Sequence, residues 1–184
     1  MPLLTSPAGF RWKSVQVIEW EWYMRYRDTT TYTVDVTLSH SVNPDRCVID
    51  IIANNGYDHT NEGGCYGTIQ MHDANTVRVQ YIADSQHDGG LIGPRNCYAV
   101  VYENLKPFRS SQFVTTAGAN ISLVQQVDWK RAWFTRNFFM WHAARTLGAW
   151  MKPIDSGHIA QGHYPDWTTY YLAEHLLRTH IVEF

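Results

Sequence analysis

This sequence has few charged residues and no marked excess of either sign, which limits the partners that it can attract. Charged residues make up 17% of the 184 residues, below the roughly 25% that is usual in globular chains, and the formal net charge is -2. A protein without a basic field has no long-range attraction to nucleic acid or to anionic lipid. The composition therefore predicts no nucleic-acid partner and no membrane partner.

Cysteines are also few, and long apolar runs are missing. The three cysteines, Cys47, Cys65 and Cys97, have no CxxC spacing, which argues against a disulfide framework and a structural zinc site. The run 48–53 is far shorter than the roughly 20 residues of a membrane span. The opening stretch, MPLLTSPAGFRWK, lacks the basic lead and apolar block of a secretory signal. We therefore expect free, mostly buried thiols in a soluble chain that is made in the cytoplasm.

Aromatic side chains, in contrast, are abundant, at 14% of the residues with eight Trp. Their apolar surface has to be buried in a core or against another protein. If the chain forms two small domains, each buries only roughly 60% of its unfolded surface. Small domains of this kind often need a partner, so the composition favours association with other proteins.

One short aliphatic and acidic phrase occurs three times, as SVQVIEWEW, CYAVVYENL and RTHIVEF, and the chain between these phrases aligns with itself. Arg46 aligns with Arg131, 85 residues further along, and Glu103 aligns with Glu183, 80 residues further along. The other aligned pairs are Val36 with Ile121, Leu38 with Leu123, Val42 with Val127, Gly67 with Gly148, Asp73 with Asp155 and Val77 with Ile159. Ordered blocks at nearly constant spacing indicate an internal duplication.

The first copy has the patterns of β-strands. Residues 32–38 alternate apolar with polar side chains, and CVIDIIA is rich in β-branched residues. NPDR is a turn between these two segments, and YGTIQMH and TVRVQYIA flank the tight turn DAN as a hairpin. Each copy thus contains four or five antiparallel strands. We expect an all-β fold of two tandem, small antiparallel β-sandwich-like units.

The duplication also predicts how the chain is divided. The predicted parts are an N-terminal arm 1–13, a first β unit with its leading strand 14–105, a linker 106–118 and a second β unit 119–184. Residues 129–151 and 167–180 have apolar residues at helix-like spacing. The duplication predicts strands in this copy, and a helix in one of these segments is the alternative. RTHIVEF is expected to be the closing strand of the second unit, with Ile181 packed inward and Phe184 as a further inward candidate.

The order of these phrases carries a resemblance to a known family. The chain contains, in this order, QVIE before an aromatic residue, a Thr-rich strand, a VNP or VD turn followed by a basic residue, a Gly-rich loop, a short hairpin and a closing IVEF. This order resembles that of small β-rich modules of tailed-bacteriophage structural proteins. Such modules occur in tail, tail-fibre and other virion proteins, often in tandem. The resemblance covers roughly Val15 to Phe184, and VDWKRAW departs from it because the second turn lacks the proline.

The resemblance implies an architectural role. It implies a non-enzymatic virion subunit without a cofactor, placed in the tail or attached to it and made in the host cytoplasm. Its implied partners are further copies of itself, in a trimer or hexamer, and other phage structural proteins. A capsid decoration protein is the alternative within this class, and a receptor- or glycan-binding module is the alternative outside it.

Two aromatic phrases supply candidate contact residues. In WEWYMRYR one face of the strand carries Trp20, Trp22, Met24 and Tyr26, and such a face is either core or an inter-subunit contact, since Trp, Tyr and Met are enriched at interfaces. GHYPDWTTYY supplies candidate receptor or glycan contacts, which are His163, Tyr164, Trp167, Tyr170 and Tyr171. The alternative is that Trp167 and Tyr171 fill the core of the second unit.

Two further phrases contain residue types that are used in catalysis and in metal binding. DSGHIAQGH brings Asp155, His158 and His163 together, but the spacing matches no defined metal motif, and DSG parallels the turn DAN. DSQHDGG places its polar residues on one loop, where adjacent residues cannot adopt the geometry of nucleophile, base and orienting group. We therefore expect no catalytic site and no metal site.

Overall fold

The structure is a computed structural model of the chain, and it confirms the all-β fold of tandem units. It describes residues 11–26, 31–54, 63–85, 92–115, 118–136, 138–142, 148–164 and 178–184. None of the described residues forms a helix that is long and apolar enough to cross a membrane.

The first unit contains six of the described strands. They are β1 (Trp12–Tyr26), β2 (Thr31–Thr37), β3 (Cys47–Asn54), β4 (Gly63–Met71), β5 (Thr76–Ser85) and β6 (Ile92–Asn104). The strand β6 lies between β1 and β3 in sheet A, and β5 lies between β2 and β4 in sheet B. The two sheets are joined at the end of β1, where Arg25 and Tyr26 pair with β5 in parallel.

The second unit contains the other seven described strands. They are β7 (Ser110–Val114), β8 (Gly118–Ser122), β9 (Ala132–Arg136), β10 (Phe138–His142), β11 (Gly148–Asp155), β12 (His158–Tyr164) and β13 (Thr179–Glu183). The strand β13 lies between β7 and β9 in sheet C, and β12 lies between β8 and β11 in sheet D. Sheet C thus repeats the strand order of sheet A, and sheet D that of sheet B. The internal repeat is therefore present in the topology as well as in the sequence.

The hairpin turns show why aligned residues take the same structure. In the first unit the Asp73 carboxylate accepts a hydrogen bond from the backbone N–H of Asn75 at 2.7 Å. In the second unit the Asp155 carboxylate accepts one from the N–H of Gly157, also at 2.7 Å. An aspartate that bonds the backbone two residues on closes a turn locally. Both DAN and DSG therefore end a strand and start its hairpin partner.

Each unit has its own apolar core between its two sheets. The first core contains Ile18, Trp20, Ile49, Val79 and Val101 among its buried members, which come from both sheets. The second core has Val114, Val127, Ile159 and Ile181 as its buried members among the described residues. The alternation in β2 is also confirmed, since its residues are exposed and half-buried in turn.

A buried glutamate in the closing strand holds each unit together. In the first unit Glu103, whose side chain is 1% exposed, accepts hydrogen bonds from Lys13 Nζ at 2.9 Å and from the backbone N–H of Asn43 at 3.0 Å. In the second unit Glu183 pairs with Arg109 at 2.9 Å and accepts from the N–H of Asp128 at 3.2 Å. Each carboxylate thus joins its own central strand to a basic residue at or before the first strand and to the turn before the third strand. We call these two residues the clamp glutamates.

A buried glutamine in the first strand of each unit makes a second repeated contact. The Gln16 amide donates to the His40 carbonyl at 3.0 Å and accepts from the His40 N–H at 3.2 Å. The Gln112 amide makes the same two bonds with the backbone of Gln125, at 2.8 and 3.2 Å. Each glutamine side chain therefore bonds both the N–H and the C=O of one loop residue, as a neighbouring strand would do.

The two units are joined by side-chain packing and by strand pairing. Val48 and Val182 are buried at the junction, where Tyr102, Phe108, Trp133 and Phe184 pack around them. The rings of Phe108 and Phe184 meet edge to face with centroids 5.8 Å apart. In addition, β10 of the second unit pairs antiparallel with β4 and so extends sheet B of the first unit.

The structure refines several expectations about the second copy. The residues described between 129 and 151 form β9, β10 and the start of β11, so strands replace the helical alternative there. Most of 167–180 lies outside the described residues. The predicted linker 106–118 contains β7, which pairs with β13, so this strand belongs to the second unit. The sequence missed it because SSQFV has only two apolar residues.

The closing phrase RTHIVEF contains a central strand. All five residues of β13 are buried, and β13 pairs with β7 on one side and β9 on the other. Ile181 packs into the second core, as expected. Phe184 packs at the junction between the units, and its backbone N–H donates to the carbonyl of Arg131 at 3.0 Å.

We predict that Glu103→Gln lowers the free energy of unfolding by roughly 1–3 kcal/mol, because a buried carboxylate loses its charge while its donors remain. Chemical denaturation monitored by tryptophan fluorescence measures this change. Glu19→Gln is the matched control, since Glu19 lies on the exposed side of β1, where it accepts a hydrogen bond from the Tyr98 hydroxyl at 2.9 Å. Equal effects of the two substitutions would contradict the role of the clamp.

The stability of the first unit is also expected to depend on pH. Burial raises the pKa of Glu103, but the hydrogen bonds from Lys13, the Asn43 N–H and Ser14 outweigh it, and the net pKa lies below its usual value of 4.5. A lowered folded-state pKa contributes stability above the unfolded value, which is lost as the pH falls through the folded value. The melting temperature, measured from neutral to acidic pH, should therefore decrease once the pH is below about 4.5. The fall should be shallower in Glu103→Gln.

Deletion of residues 179–184 should abolish folding of the second unit, because β7 and β9 pair with β13 in sheet C and not with each other. Limited proteolysis should then cut the second unit and spare the first. The finer test is Ile181→Ala, which removes a buried side chain and should cost about 2–5 kcal/mol. Val124→Ala, at a side chain that is 89% exposed, is its control and should change little. A truncated chain with an intact second unit would refute this assignment of the central strand.

Candidate functional site

The structure places Trp20 in the core of the first unit. Its side chain is 3% exposed and packs with Ile18 and Cys97, so it is not available to a partner and the core alternative holds for this residue. Trp22, Met24 and Tyr26 lie on β1, but their side chains are outside the described part of the structure.

The candidate receptor or glycan contacts are described only in part. His163 and Tyr164 are the last residues of β12, where their backbones pair with β11, and their side chains lie outside what is described. Trp167, Tyr170 and Tyr171 fall wholly outside the described residues. This set therefore remains a prediction.

Asp155 and His158 form an exposed pair at the hairpin between β11 and β12. His158 Nδ1 lies 2.9 Å from the Asp155 carboxylate. The bond from His158 and the one from the Gly157 N–H hold the pKa of Asp155 below its usual value. No group of three His, Cys, Asp or Glu side chains that could hold a metal ion occurs among the described residues. The pair closes a turn, in line with its match to Asp73.

Cys47 is held as a neutral thiol. Burial and the nearby Glu103 carboxylate raise its pKa to about 12. Its Sγ donates to the Asn43 carbonyl at 3.2 Å. A thiol with this pKa does not form the thiolate that acts as a nucleophile near neutral pH. Cys97 is also buried, and within the described part of the chain it belongs to no disulfide.

The outward face of β1 exposes aliphatic side chains. Val15 is 50% exposed and Val17 is 65% exposed, and Trp12, on the same strand, is 38% exposed. From Trp12 to Met24 the described ladder of β1 runs along one side only, to β6. An edge strand with an exposed aliphatic face is a site for association unless charge or a covering element blocks it. We call Val15 and Val17 the edge pair.

A cleft of about 240 Å³ lies between the two units. One wall comes from the turn before β3 and from β3 and β4 of the first unit, and the other comes from the outward face of sheet C. The second wall carries Ser111, Phe113, Arg178 and His180. The hydrogen bonds of Gln16 and Gln112 align Val15 with Ser111 and Val17 with Phe113. Ser111 and Phe113, which correspond to the exposed edge pair of the first unit, therefore line the cleft in the second unit.

Arg178 and His180 flank the ring of Phe113. The Arg178 guanidinium carbon lies 3.9 Å from the ring centroid, and the His180 ring stacks on Phe113 with centroids 4.2 Å apart. His180 Nε2 is 2.8 Å from the Ser111 hydroxyl oxygen. Burial and the Arg178 charge lower the pKa of His180 to about 4, so His180 is neutral at pH 7. Burial also lowers the pKa of Arg178.

Sequence reasoning missed both the edge pair and the cleft. In SVQVIEW the polar Gln16 is buried while Val15 and Val17 are exposed, which hydrophobicity alone does not indicate. The signal for the cleft was weaker still, because Arg178 and His180 are 65 or more residues from Phe113 and stand in a phrase that predicts a closing strand. Only the pairing of β7 with β13 brings them together.

Comparisons with known proteins give no relative for this chain, since no family model, no curated protein and no solved structure matches it.

Proposed function

We propose that this protein is a non-enzymatic structural subunit that acts by assembly, through β units that associate with one another and with other proteins. The observation that carries the proposal is the edge pair on β1, whose two aliphatic side chains are half to two-thirds exposed on a strand with a one-sided ladder. Exposed aliphatic edges of this kind are rare in proteins that work alone, because they pair with other chains.

The way in which the two units join each other supports this proposal. β10 adds to the edge of sheet B, and the aromatic rings of Trp12, Tyr102 and Trp133 meet at the junction with centroids 4.3 to 5.6 Å apart. The units thus associate both by strand addition and by face packing. The outward face of β1, where Val15 and Val17 are exposed, offers a second copy a surface for association.

The particle in which we propose that it assembles is the virion of a tailed bacteriophage, in the tail or attached to it. This part of the proposal rests on the resemblance of the repeated phrases to phage structural modules, which implies tandem β units. The partners are then further copies of the chain, in a trimer or hexamer, and other virion proteins. A head-associated decoration protein fits the same geometry.

Size-exclusion chromatography with light scattering over a range of concentrations tests assembly through β1. We expect the wild-type chain to form a defined oligomer, and Val17→Lys to raise its dissociation constant at least about tenfold, because an unpaired ammonium would be buried at the contact. Val124→Lys is the matched control, since it adds the same charge at an exposed valine outside β1. A wild-type chain that stays monomeric, or equal effects of both substitutions, would count against the proposal.

A further inference from the structure

The cleft between the units contains a cation that lacks an anionic partner. Arg178 is half-buried, and its Nη1 donates to the Gln70 side-chain oxygen while its guanidinium stacks on Phe113. None of the carboxylates in the described part of the chain forms an ion pair with it. Its Nε–H is buried and has no hydrogen-bond partner among the described residues. A buried charge and a buried donor are both costly unless something satisfies them.

The groups around Arg178 suit one negative charge. His180 is neutral and 5% exposed, Ser111 supplies a hydroxyl, and no second Lys or Arg lines the cleft among the described residues. Asp45 lines the same cleft and disfavours a dianion. A guanidinium is planar and matches the two oxygens of a carboxylate. These features favour a carboxylate over a phosphate.

The remaining walls are apolar. Phe113, Met71 and Ile49 line the cleft beside the polar groups, and its volume of about 240 Å³ suits a ligand of few heavy atoms. Small-molecule sites typically combine an apolar lining with a few placed polar groups. We infer that this cleft binds a small aliphatic carboxylic acid, with the carboxylate on Arg178 and the hydrocarbon chain against Met71 and the edge of the Phe113 ring. This ligand site is independent of assembly through β1.

Isothermal titration calorimetry with pentanoate tests the site, with pentanamide as the neutral counterpart. We expect the wild-type chain to bind pentanoate and not pentanamide. Arg178→Gln should weaken pentanoate binding about tenfold or more, which is the usual effect of losing a charge-assisted hydrogen bond. Arg131→Gln removes the same charge from an exposed residue and should leave binding unchanged. Equal binding of acid and amide, or equal loss in both variants, would overturn the inference.

Thermal unfolding without ligand separates a binding role of Arg178 from a structural one. If the role of Arg178 is to bind an anion, Arg178→Gln should melt at or above the temperature of Arg131→Gln. The substitution then removes a half-buried charge that has no anionic partner among the described residues. If the bond to Gln70 and the stack on Phe113 hold the units together, Arg178→Gln should melt well below the control. The second outcome would make Arg178 a structural residue and refute the site.

His180 provides a readout that reports on the cleft directly. A carboxylate bound to Arg178 would change the electrostatic field at the His180 ring, which stacks on Phe113 with centroids 4.2 Å apart. Pentanoate should therefore shift the NMR signals of the His180 ring at pH 7, and His180→Gln identifies these signals. Phosphate at the same ionic strength should have a smaller effect than pentanoate. A larger effect of phosphate, or no shift with saturating pentanoate, would contradict a carboxylate site.

Discussion

A buried carboxylate in the last strand of each unit organises the fold around it. Glu103 and Glu183 both stand at the end of a central strand, and each binds a basic side chain and the first backbone N–H of a turn. A buried charge tolerates only one arrangement of its partners, because any other arrangement leaves it unpaired at a high cost. The same carboxylate therefore sets the positions of the first strand, the turn and the closing strand relative to one another.

The duplication supplied two copies of one framework whose outward faces have diverged. The positions of Val15 and Val17 on β1 correspond to Ser111 and Phe113 on β7. In the first unit the face is aliphatic and exposed, whereas in the second unit it lies against the first unit and encloses a cleft. A conserved inner framework with a variable outer face lets one fold carry two kinds of contact. The proposed assembly contact and the proposed ligand site therefore lie on equivalent strands.

The sequence predicted those parts of the fold that depend on local chemistry. Asp73 and Asp155 each close a hairpin. The side chains of Asn43 and Asp128 each accept a hydrogen bond from the backbone N–H two residues on, so the two turns are alike although the second lacks the proline. In contrast, the burial of Gln16 does not follow from local chemistry. A polar side chain is buried at no net cost when it pairs with backbone groups that have no other partner, and that pairing involves a loop 24 residues away. The strand β7 was missed for a related reason, because its polar residues are stabilised by the ladder to β13.

By itself, the sequence determined the all-β class, the duplication, the hairpin turns and the role of RTHIVEF as a closing strand. These follow from side-chain periodicity and from bonds between residues that are close along the chain, which act before any distant contact forms. Tertiary structure alone decided that β10 extends the sheet of the other unit, that Phe184 packs between the units, and that Arg178 stands beside Phe113 without an ion pair to any carboxylate of the described residues. Each of these results joins residues far apart in the sequence, and only the packing of the two units against each other brings them within contact distance.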